Sequence, residues 1–365
     1  MSHLMILVVR VDHIFYFVFT RLGVLVLALA ALTACNTEAN KKSYSDKFEI
    51  KGSAQGTTYH IAYYSKERVI RKYEIDSILL QIDKVLSLWD STSIISKVNN
   101  TESLRYEFRD PTHFFYDNFL ISKEVFRATK GAFDPTVAPL VELWGFGLSK
   151  RAEVLPSDID KNLRKVGFSD ERITLTKAEG NYRILKSLPD IQLNFNGIAQ
   201  GYSADVLSKY LAARGIKSHM VEIGGEVRVG DFKPGGKGWQ IGIDRPVESD
   251  MRELQSIVQL TNQGLATSGN YRKFYVKDGM KYAHTIDPKN GYPVEHNLLS
   301  ATVIADNSAL ADAYATAFMV LGYEKSLELL NSMKDVEAYF ILSGEDGEFV
   351  THATSGIAGQ IQSLQ

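Results

Sequence analysis

The 365-residue sequence has almost no net charge. It contains 41 Lys and Arg residues against 43 Asp and Glu residues, which gives a formal charge of −2 at pH 7. Because no basic excess attracts a phosphate backbone, nucleic-acid binding is disfavoured. The sequence also lacks a Gly-Lys-Ser/Thr element, so a P-loop is excluded as a nucleotide site.

Cysteine is equally scarce, since Cys35 is the only one in the chain. Arg21 and the apolar run 22–32 precede it, and that run is too short to cross a bilayer by itself. The tetrapeptide Leu32-Thr33-Ala34-Cys35 resembles a bacterial lipobox, whose cysteine is acylated after cleavage. We therefore interpret Cys35 as a lipid attachment point rather than a thiol catalyst.

This interpretation predicts a signal peptide at residues 1–35 and a flexible tether at residues 36–46, which are polar and without periodicity. The expected location is outside the cytoplasm, lipid-anchored to the bacterial cell membrane on the periplasmic side of the inner membrane. An uncleaved anchor is the alternative, because residues 14–19 are also apolar. Either reading exports the rest of the chain.

The full chain is 45% hydrophobic, and the sequence after residue 47 shows no internal repeat or linker, so we expect one catalytic unit at residues 47–352 and a tail at 353–365. Strands and helices are interspersed without regular alternation, which predicts an α+β fold with a mainly antiparallel sheet flanked by helices. Residues 89–100 are rich in hydroxyl and amide side chains and predict a loop. The patterns predict helices at 70–88, 114–129 and 196–214, and strands at 48–52, 57–64, 192–195, 219–223, 239–244, 256–260, 273–276, 300–305 and 336–342.

Asp312 and Thr316 lie four residues apart in an Ala-rich, apolar segment with a helical pattern. Their side chains therefore lie on the same helix face, where a buried carboxylate needs a partner or a metal. Two oxygens at this spacing suit Mg²⁺, which takes few protein ligands and completes its shell with phosphates and water. Alternatively, Asp312 bonds a neighbouring turn and Thr316 bonds back to its own helix.

Three further segments carry polar groups among glycines. His284 precedes a turn that contains Asp287, and such a histidine can move a proton or hold an anion, or be purely structural. Residues 267–272, which include Ser268, offer hydroxyls and a guanidinium suited to phosphate. Residues 196–201 open a helix whose N-terminus favours an anion, although their glycines could instead serve close packing.

Taken in order, these segments resemble the FAD:protein FMN transferase family of ApbE-like lipoproteins. The resemblance implies a two-lobed α+β fold, Mg²⁺, FAD as the donor, and transfer of the FMN moiety to a Thr or Ser hydroxyl of another exported protein. The motifs that carry it are residues 56–59, 131–137, 194–202, 224–225, 266–269, 284–291 and 311–316.

By the same resemblance, the metal ligands are the Gly197 carbonyl, the Asp312 carboxylate and the Thr316 hydroxyl. The sequence departs from the family pattern at Asn194 and Gln200, where charged residues are common; an amide cannot be a general base, so neither is expected to be catalytic. The expected flavin-nucleotide contacts are Gln55, Ala132, Phe133, Asp134, Asn194, Gln200 and His284.

The mechanism that we expect is in-line attack of the acceptor hydroxyl on the FMN-side phosphorus of FAD, with AMP leaving. His284 is expected to transfer the proton or stabilise the pyrophosphate, and Asp287 to orient it. Two rival readings remain open: a Mg²⁺-dependent FAD pyrophosphatase that releases FMN and AMP, and a non-catalytic periplasmic flavin-binding lipoprotein.

Overall fold

A computed structural model describes residues 45–147, 153–178, 181–247, 253–270, 274–277, 280–283, 285–345 and 348–364. From Asp46 onward the chain forms one compact unit. Cys35, the predicted signal peptide, nearly all of the predicted tether and His284 lie outside the described residues. No helix within these ranges combines the length and the apolar character needed to cross a membrane.

The secondary structure of the described residues is as follows. The helices are α1 (Lys72–Leu86), α2 (Ile94–Asn100), α3 (Phe114–Ala128), α4 (Ala138–Leu143), α5 (Pro156–Leu163), α6 (Ala199–Ala213), α7 (Ser308–Leu321) and α8 (Tyr323–Leu330). The strands are β1 (Asp46–Ala54), β2 (Thr57–Ser65), β3 (Arg105–Phe108), β4 (Ile173–Ala178), β5 (Asn181–Lys186), β6 (His219–Ile223), β7 (Glu226–Val229), β8 (Trp239–Asp244), β9 (Leu254–Leu260), β10 (Gly264–Gly269), β11 (Phe274–Lys277), β12 (Met280–Ala283), β13 (Leu298–Ala305), β14 (Val336–Ser343), β15 (Phe349–Ala353) and β16 (Ile361–Ser363).

The central element is an eight-stranded sheet in the order β1-β2-β6-β7-β10-β13-β14-β15. Every neighbouring pair in it is antiparallel. The predicted α+β class with a mainly antiparallel sheet is therefore confirmed. Two three-stranded sheets, β3-β5-β4 and β8-β9-β16, and the β11-β12 hairpin accompany it.

Alternation along β7 shows how the sheet divides the core. Val227 and Val229 belong to a small apolar cluster that includes Trp239 and Val258 of the β8-β9 sheet. Side chains of successive strand residues point to opposite faces, so Glu226 and Arg228 point to the other face. The larger apolar core, which includes residues of α6 and α7, lies on that face. The polar side chains of Glu226 and Arg228 therefore lie on the side of the sheet that packs against α6 and α7.

Two segments differ from their predictions. Residues 94–100 form helix α2 instead of a loop, because Ser93 caps the helix by accepting a hydrogen bond from Ser96 N at 3.1 Å. Residues 192–195 are extended but form no strand. The side chain of Asn99 takes the place of a neighbouring strand there, since it donates to Leu193 O at 2.8 Å and accepts from Leu193 N at 2.7 Å.

The predicted C-terminal tail contains short elements of regular structure. Residues 358–360 form a 3₁₀ turn, and β16 pairs antiparallel with β9. Ile357 is buried in the small apolar cluster. These residues thus complete the β8-β9 sheet, because an apolar side chain anchors a segment that looks polar in sequence.

Candidate active site

The site lies where helices α6 and α7 cross, and each helix supplies a buried carboxylate to the N-terminus of the other. Asp312 on α7 accepts a hydrogen bond from Gly201 N, in the first turn of α6, at 3.2 Å. Asp205 on α6 accepts from Ser308 N and Ala309 N, in the first turn of α7, at 2.9 Å each. Unpaired N–H groups at a helix start favour such negative partners.

The crossing is close because Gly201 has no side chain. A Cβ atom at Gly201 would lie 2.3 Å from the Ser308 carbonyl oxygen, which is far inside van der Waals contact. Glycine at this position lets the two helices approach until each carboxylate reaches the other backbone. The glycines of residues 196–201 therefore serve close packing, and this packing positions Asp312.

Asp312 is 5% exposed. Burial raises the pKa of its carboxyl to about 7, the charge of nearby Asp205 adds to this rise, and the hydrogen bond from Gly201 opposes it. A buried carboxylate with a single hydrogen bond is poorly compensated when ionised. A bound cation would supply the missing compensation.

Thr316 lies one turn after Asp312 and faces Gly197. A Cβ atom at Gly197 would lie 3.0 Å from Thr316 Oγ1 and 3.4 Å from the Phe133 ring. The structure thus brings Gly197 and Thr316, two of the metal ligands implied by the resemblance, together with Phe133, one of the implied flavin contacts; their roles stay predictions. A carboxylate, a hydroxyl and a peptide carbonyl are all hard oxygen donors, which is the ligand type that Mg²⁺ prefers.

Glu226 was not predicted to belong to this site. It opens β7 immediately after the Gly224-Gly225 turn and is 8% exposed. Its Oε2 finds no hydrogen-bond partner among the described residues. Burial and the charge of Asp312 raise the pKa of the Glu226 carboxyl well above its usual range. The sequence signal was available only in part: a double glycine marks the turn, but nothing marks the acid as buried.

Gln55 and Gln200 meet at the start of α6. Gln55 forms the β1-β2 turn with a positive φ of 53°, and its Nε2 donates to Ser203 Oγ at 2.7 Å. Gln200 Nε2 donates to Gln55 O at 3.5 Å, and a Cβ atom at Gly224 would lie 3.1 Å from that Nε2. The structure therefore brings two predicted flavin contacts together with the double-glycine turn.

The loop at residues 131–137 reaches the site through buried Phe133, with buried Ala132 beside it in sequence. Asp134 holds the loop closed, since its Oδ1 accepts from Thr136 N at 2.7 Å and from Thr136 Oγ1 at 2.5 Å. Burial raises the pKa of Asp134 to about 6. Asp134 thus shapes the loop, and a direct contact of its side chain with a ligand stays a prediction.

Asn194 connects this loop to the segment that precedes α6. Its N–H donates to Pro135 O at 2.7 Å, and its Oδ1 accepts from Asn196 N at 2.8 Å. Asn194 and Asn196 border a cavity of about 260 Å³, which Trp89 also lines. A larger cavity of about 660 Å³ shares Asn99, Asn100, Glu142 and Gln192 with the first.

Trp89 is a second residue that the sequence did not single out. Its side chain is 75% exposed although it lines the smaller cavity. An exposed indole is costly to leave in water and offers a flat surface on which an aromatic ring system can stack. The only sequence signal was an aromatic residue at the start of a polar segment.

Ser268 and Asp287 stand apart from the α6-α7 crossing in their contacts. Ser268 lies half-buried on β10 opposite Ala301. Asp287 closes a turn: its Oδ1 accepts from Lys289 N at 2.9 Å and its carbonyl accepts from Gly291 N at 2.8 Å. No hydrogen bond between described residues joins either one to the predicted metal ligands. Since His284 is outside the described residues, its pairing with Asp287 stays a prediction.

The Asp287 turn is nevertheless fixed in place. Trp144 Nε1 donates to Gly291 O at 2.8 Å, and Ile286 belongs to an apolar cluster with Leu140 and Ile159. Since Trp144 follows α4 directly, these contacts anchor the turn beside α4 and α5. A proton-transferring residue next to such a turn would be held on a rigid support.

Comparisons with known proteins agree with this geometry. Residues 55–340 match the sequence model of the ApbE family. The chain is 33% identical over 342 residues to the FAD:protein FMN transferase of Haemophilus influenzae, covering 91% of this chain and 95% of that protein. It is also 33% identical over 334 residues to the protein of the same name from Vibrio cholerae, covering 90% and 96%.

Solved structures give the same result. The apo form of the flavinyl transferase ApbE of Pseudomonas stutzeri superposes with a TM-score of 0.74 at 33% identity, covering 86% of this chain and 96% of that one. The flavin transferase ApbE of Vibrio cholerae superposes with a TM-score of 0.73 at 30% identity, covering 85% and 98%. The similarity thus extends over nearly the whole described fold.

Proposed function

The chain belongs to the ApbE family, and from this membership we propose that it is an FAD:protein FMN transferase, an enzyme that moves the FMN moiety of FAD onto a hydroxyl of another protein. The observation that carries the proposal is the α6-α7 crossing. There Asp312 is buried with a single N–H donor, and Thr316, one turn further along α7, has its hydroxyl 3.0 Å from where a Cβ atom at Gly197 would lie.

The metal in this proposal is Mg²⁺, held by Gly197, Asp312 and Thr316. Among the described residues no three His, Cys, Asp or Glu side chains form a metal-binding group, so the proposed protein ligand set is sparse. A sparse set leaves positions for the phosphates of a nucleotide. Bound there, Mg²⁺ would neutralise the charge that grows on the pyrophosphate oxygens during transfer.

The protein's own groups have separate tasks in the transfer. The N-terminus of α6 presents a positive dipole end to the pyrophosphate, and Gln55 and Gln200 offer amide groups beside it. Phe133 and Asn194 border the space next to Gly197, and Ser268 offers a hydroxyl from β10. Trp89 supplies a stacking surface at the smaller cavity, which suits a planar ring of FAD.

The proposed reaction exchanges one phosphorus–oxygen bond for another. The acceptor Thr or Ser oxygen forms a bond to the FMN-side phosphorus, and the bond from that phosphorus to the bridging oxygen breaks, so that AMP leaves with the electron pair. The proton of the acceptor hydroxyl passes to a base, for which His284 is our candidate, with Asp287 orienting it. Asn194 and Gln200, as amides, take no part in proton transfer.

The location and partners complete the proposal. Lipidation at Cys35 would anchor the enzyme to the cell membrane outside the cytoplasm, where its acceptor is another exported protein. The near-neutral charge supports a protein acceptor and no nucleic-acid partner.

The test uses the full chain in detergent with FAD, Mg²⁺ and a purified exported candidate acceptor. The intact mass of the acceptor and the amount of AMP are followed together. We expect an acceptor adduct of FMN mass and one AMP per adduct. AMP and FMN without an adduct would instead indicate a pyrophosphatase, and bound FAD without either product would indicate a flavin carrier.

A further inference from the structure

Glu226 is the buried acidic side chain that the proposed mechanism leaves without a task. Acidic side chains are seldom buried unless they are paired, yet Oε2 of Glu226 has no hydrogen-bond partner among the described residues. Leaving a buried carboxylate oxygen unpaired is costly. A native protein that keeps such a group has a use for its charge.

The fold aims this charge at the α6-α7 crossing. Glu226 shares the helix-facing side of β7 with Arg228, because the two residues are two positions apart in the strand. Arg228 lies near Asp205 of α6, with Nε at 3.7 Å from Oδ1. Glu226, at the other end of β7, directly follows the Gly224-Gly225 turn. This turn contacts α6, since a Cβ atom at Gly224 would lie 3.1 Å from Gln200 Nε2. The next residue of α6 is Gly201, whose N–H donates to Asp312.

Strand β7 therefore presents a basic side chain toward Asp205 and an acidic side chain toward Asp312. Asp205 accepts from two backbone N–H donors and has a guanidinium nearby, which oppose the rise that burial causes in the pKa of its carboxyl. Asp312 accepts from one N–H donor, and the buried carboxylate of Glu226 lies on the side of β7 that faces the helices. Two carboxylates that share a buried space repel each other unless a cation lies between or beside them.

We propose that Glu226 is a positioning residue of the cation site, whose buried negative charge raises the affinity of the Asp312 site for a divalent cation over a monovalent one. The proposal rests on the proposed function, because it assumes that Asp312 binds the metal. Its physical basis is that Coulomb attraction in a buried site scales with the charge of the ion. A charge that is not itself used as a ligand can therefore select Mg²⁺ against Na⁺ or K⁺.

The test is Glu226→Gln in the full chain, which keeps the shape and removes the charge. The melting temperature is measured over a Mg²⁺ series and, separately, over a K⁺ series. We expect the Mg²⁺ concentration at half-maximal stabilisation to rise about tenfold, since one buried charge is worth on the order of one factor of ten. The K⁺ series should change by less than about twofold.

The melting temperature without added metal separates this role from a structural one. Removing a repelled carboxylate should leave that temperature unchanged or raised. Glu226→Asp, which restores the charge, should recover most of the Mg²⁺ response. Glu107→Gln is the control: it removes one negative charge from the separate β3-β5-β4 sheet, where Glu107 pairs with Arg105 and Arg183, and it should leave the Mg²⁺ response unchanged.

An unchanged Mg²⁺ response in Glu226→Gln would overturn the inference, and so would a lower melting temperature without metal that accounts for the whole effect. Asp312→Asn in the same series distinguishes failure of the proposed metal site from failure of the proposed role of Glu226. If Asp312→Asn weakens the Mg²⁺ response and Glu226→Gln does not, the inference fails and the metal site stands. If neither variant changes it, the proposed metal site fails as well.

Discussion

At both ends of the α6-α7 crossing, an aspartate of one helix caps the start of the other helix. The two aspartates differ in how many partners they have. At the start of α7, Asp205 accepts from Ser308 N and Ala309 N and has Arg228 nearby, and these three groups oppose the rise in its pKa that burial causes. At the start of α6, Asp312 receives only Gly201 N. Both side chains are 5% exposed, so burial alone does not distinguish them.

The difference teaches how a functional acid can be recognised among structural ones. We call a buried carboxylate closed when N–H donors and cationic side chains of the protein stabilise its negative charge; such a group stabilises the fold. We call it open when too few such partners are present, which is tolerated where a ligand or a metal stabilises the charge instead. On this criterion we propose a structural role for Asp205 and a functional one for Asp312, although both cap a helix.

The largest effect is expected for Asp312→Ala, which tests the functional role of the open carboxylate. Removal of this proposed metal ligand should lower the rate of acceptor flavinylation by about 100-fold or more, since metal stabilisation of a transferring phosphoryl group is worth several kcal/mol. The rate is measured by flavin fluorescence of the acceptor at saturating FAD. Thr316→Val should show a smaller loss, and a variant at Asp312 with wild-type rate would contradict the metal assignment.

Asp205→Asn tests the closed end. The amide keeps one acceptor but turns an NH₂ group toward a backbone donor, so the free energy of unfolding should fall by about 2–4 kcal/mol. Chemical denaturation measures this fall. The folded variant should keep its Mg²⁺ affinity. A large loss of Mg²⁺ affinity with little loss of stability would instead assign metal binding to Asp205.

The pH dependence of stability tests a third buried acid, Asp134, whose loop carries Phe133 to the site. Because the pKa of Asp134 is raised to about 6 in the folded protein from a usual 3.8, the folded state binds more protons than the unfolded state between these values. The stability that Asp134 contributes is therefore present below about pH 4 and lost as the pH rises through 6.

The measurement is the free energy of unfolding of the wild type relative to Asp134→Asn from pH 4 to pH 8. The difference should shift against the wild type by about 3 kcal/mol over this range, as an order of magnitude. A difference that is constant with pH would show that the carboxyl of Asp134 does not titrate on folding in this window.

The smallest expected effect is at Trp89. Loss of a stacking surface at the cavity rim should raise the KM for FAD about three- to tenfold in Trp89→Ala, since such contacts are worth about 1 kcal/mol. Stability should hardly change, because the side chain is 75% exposed. Tyr73, also an exposed aromatic residue at 72%, is the matched control, and Tyr73→Ala should leave the KM unchanged.

Much of the fold could be predicted from local patterns. Alternation indicated strands such as β6 and β8 with the bounds that the structure has, and the apolar periodicity of α1 and α3 indicated both helices to within about two residues. Helix α2 was missed because its cap, Ser93, lies among other hydroxyl residues that equally favour turns. The supposed strand at 192–195 pairs with one side chain, Asn99, which no local pattern reveals.

The site was predictable where its residues follow one another in the chain. The spacing of Asp312 and Thr316 predicted that they share a helix face, which α7 confirms; their role as metal ligands, and that of Gly197 from the family resemblance, stay predictions. The partners that decide their chemistry come from far away in sequence, as Gly201 does for Asp312 and Ser308 does for Asp205. Glu226 escaped prediction because its burial depends on α6 and α7 covering the start of β7.

The most direct measurement is an isothermal titration of Mg²⁺ into the wild type, Asp312→Asn and Asp205→Asn under identical conditions. If the open carboxylate is the cation ligand, Asp312→Asn loses measurable Mg²⁺ binding and Asp205→Asn keeps the wild-type affinity to within about threefold. Wild-type Mg²⁺ binding in Asp312→Asn would contradict the assignment of this end of the crossing as the metal site.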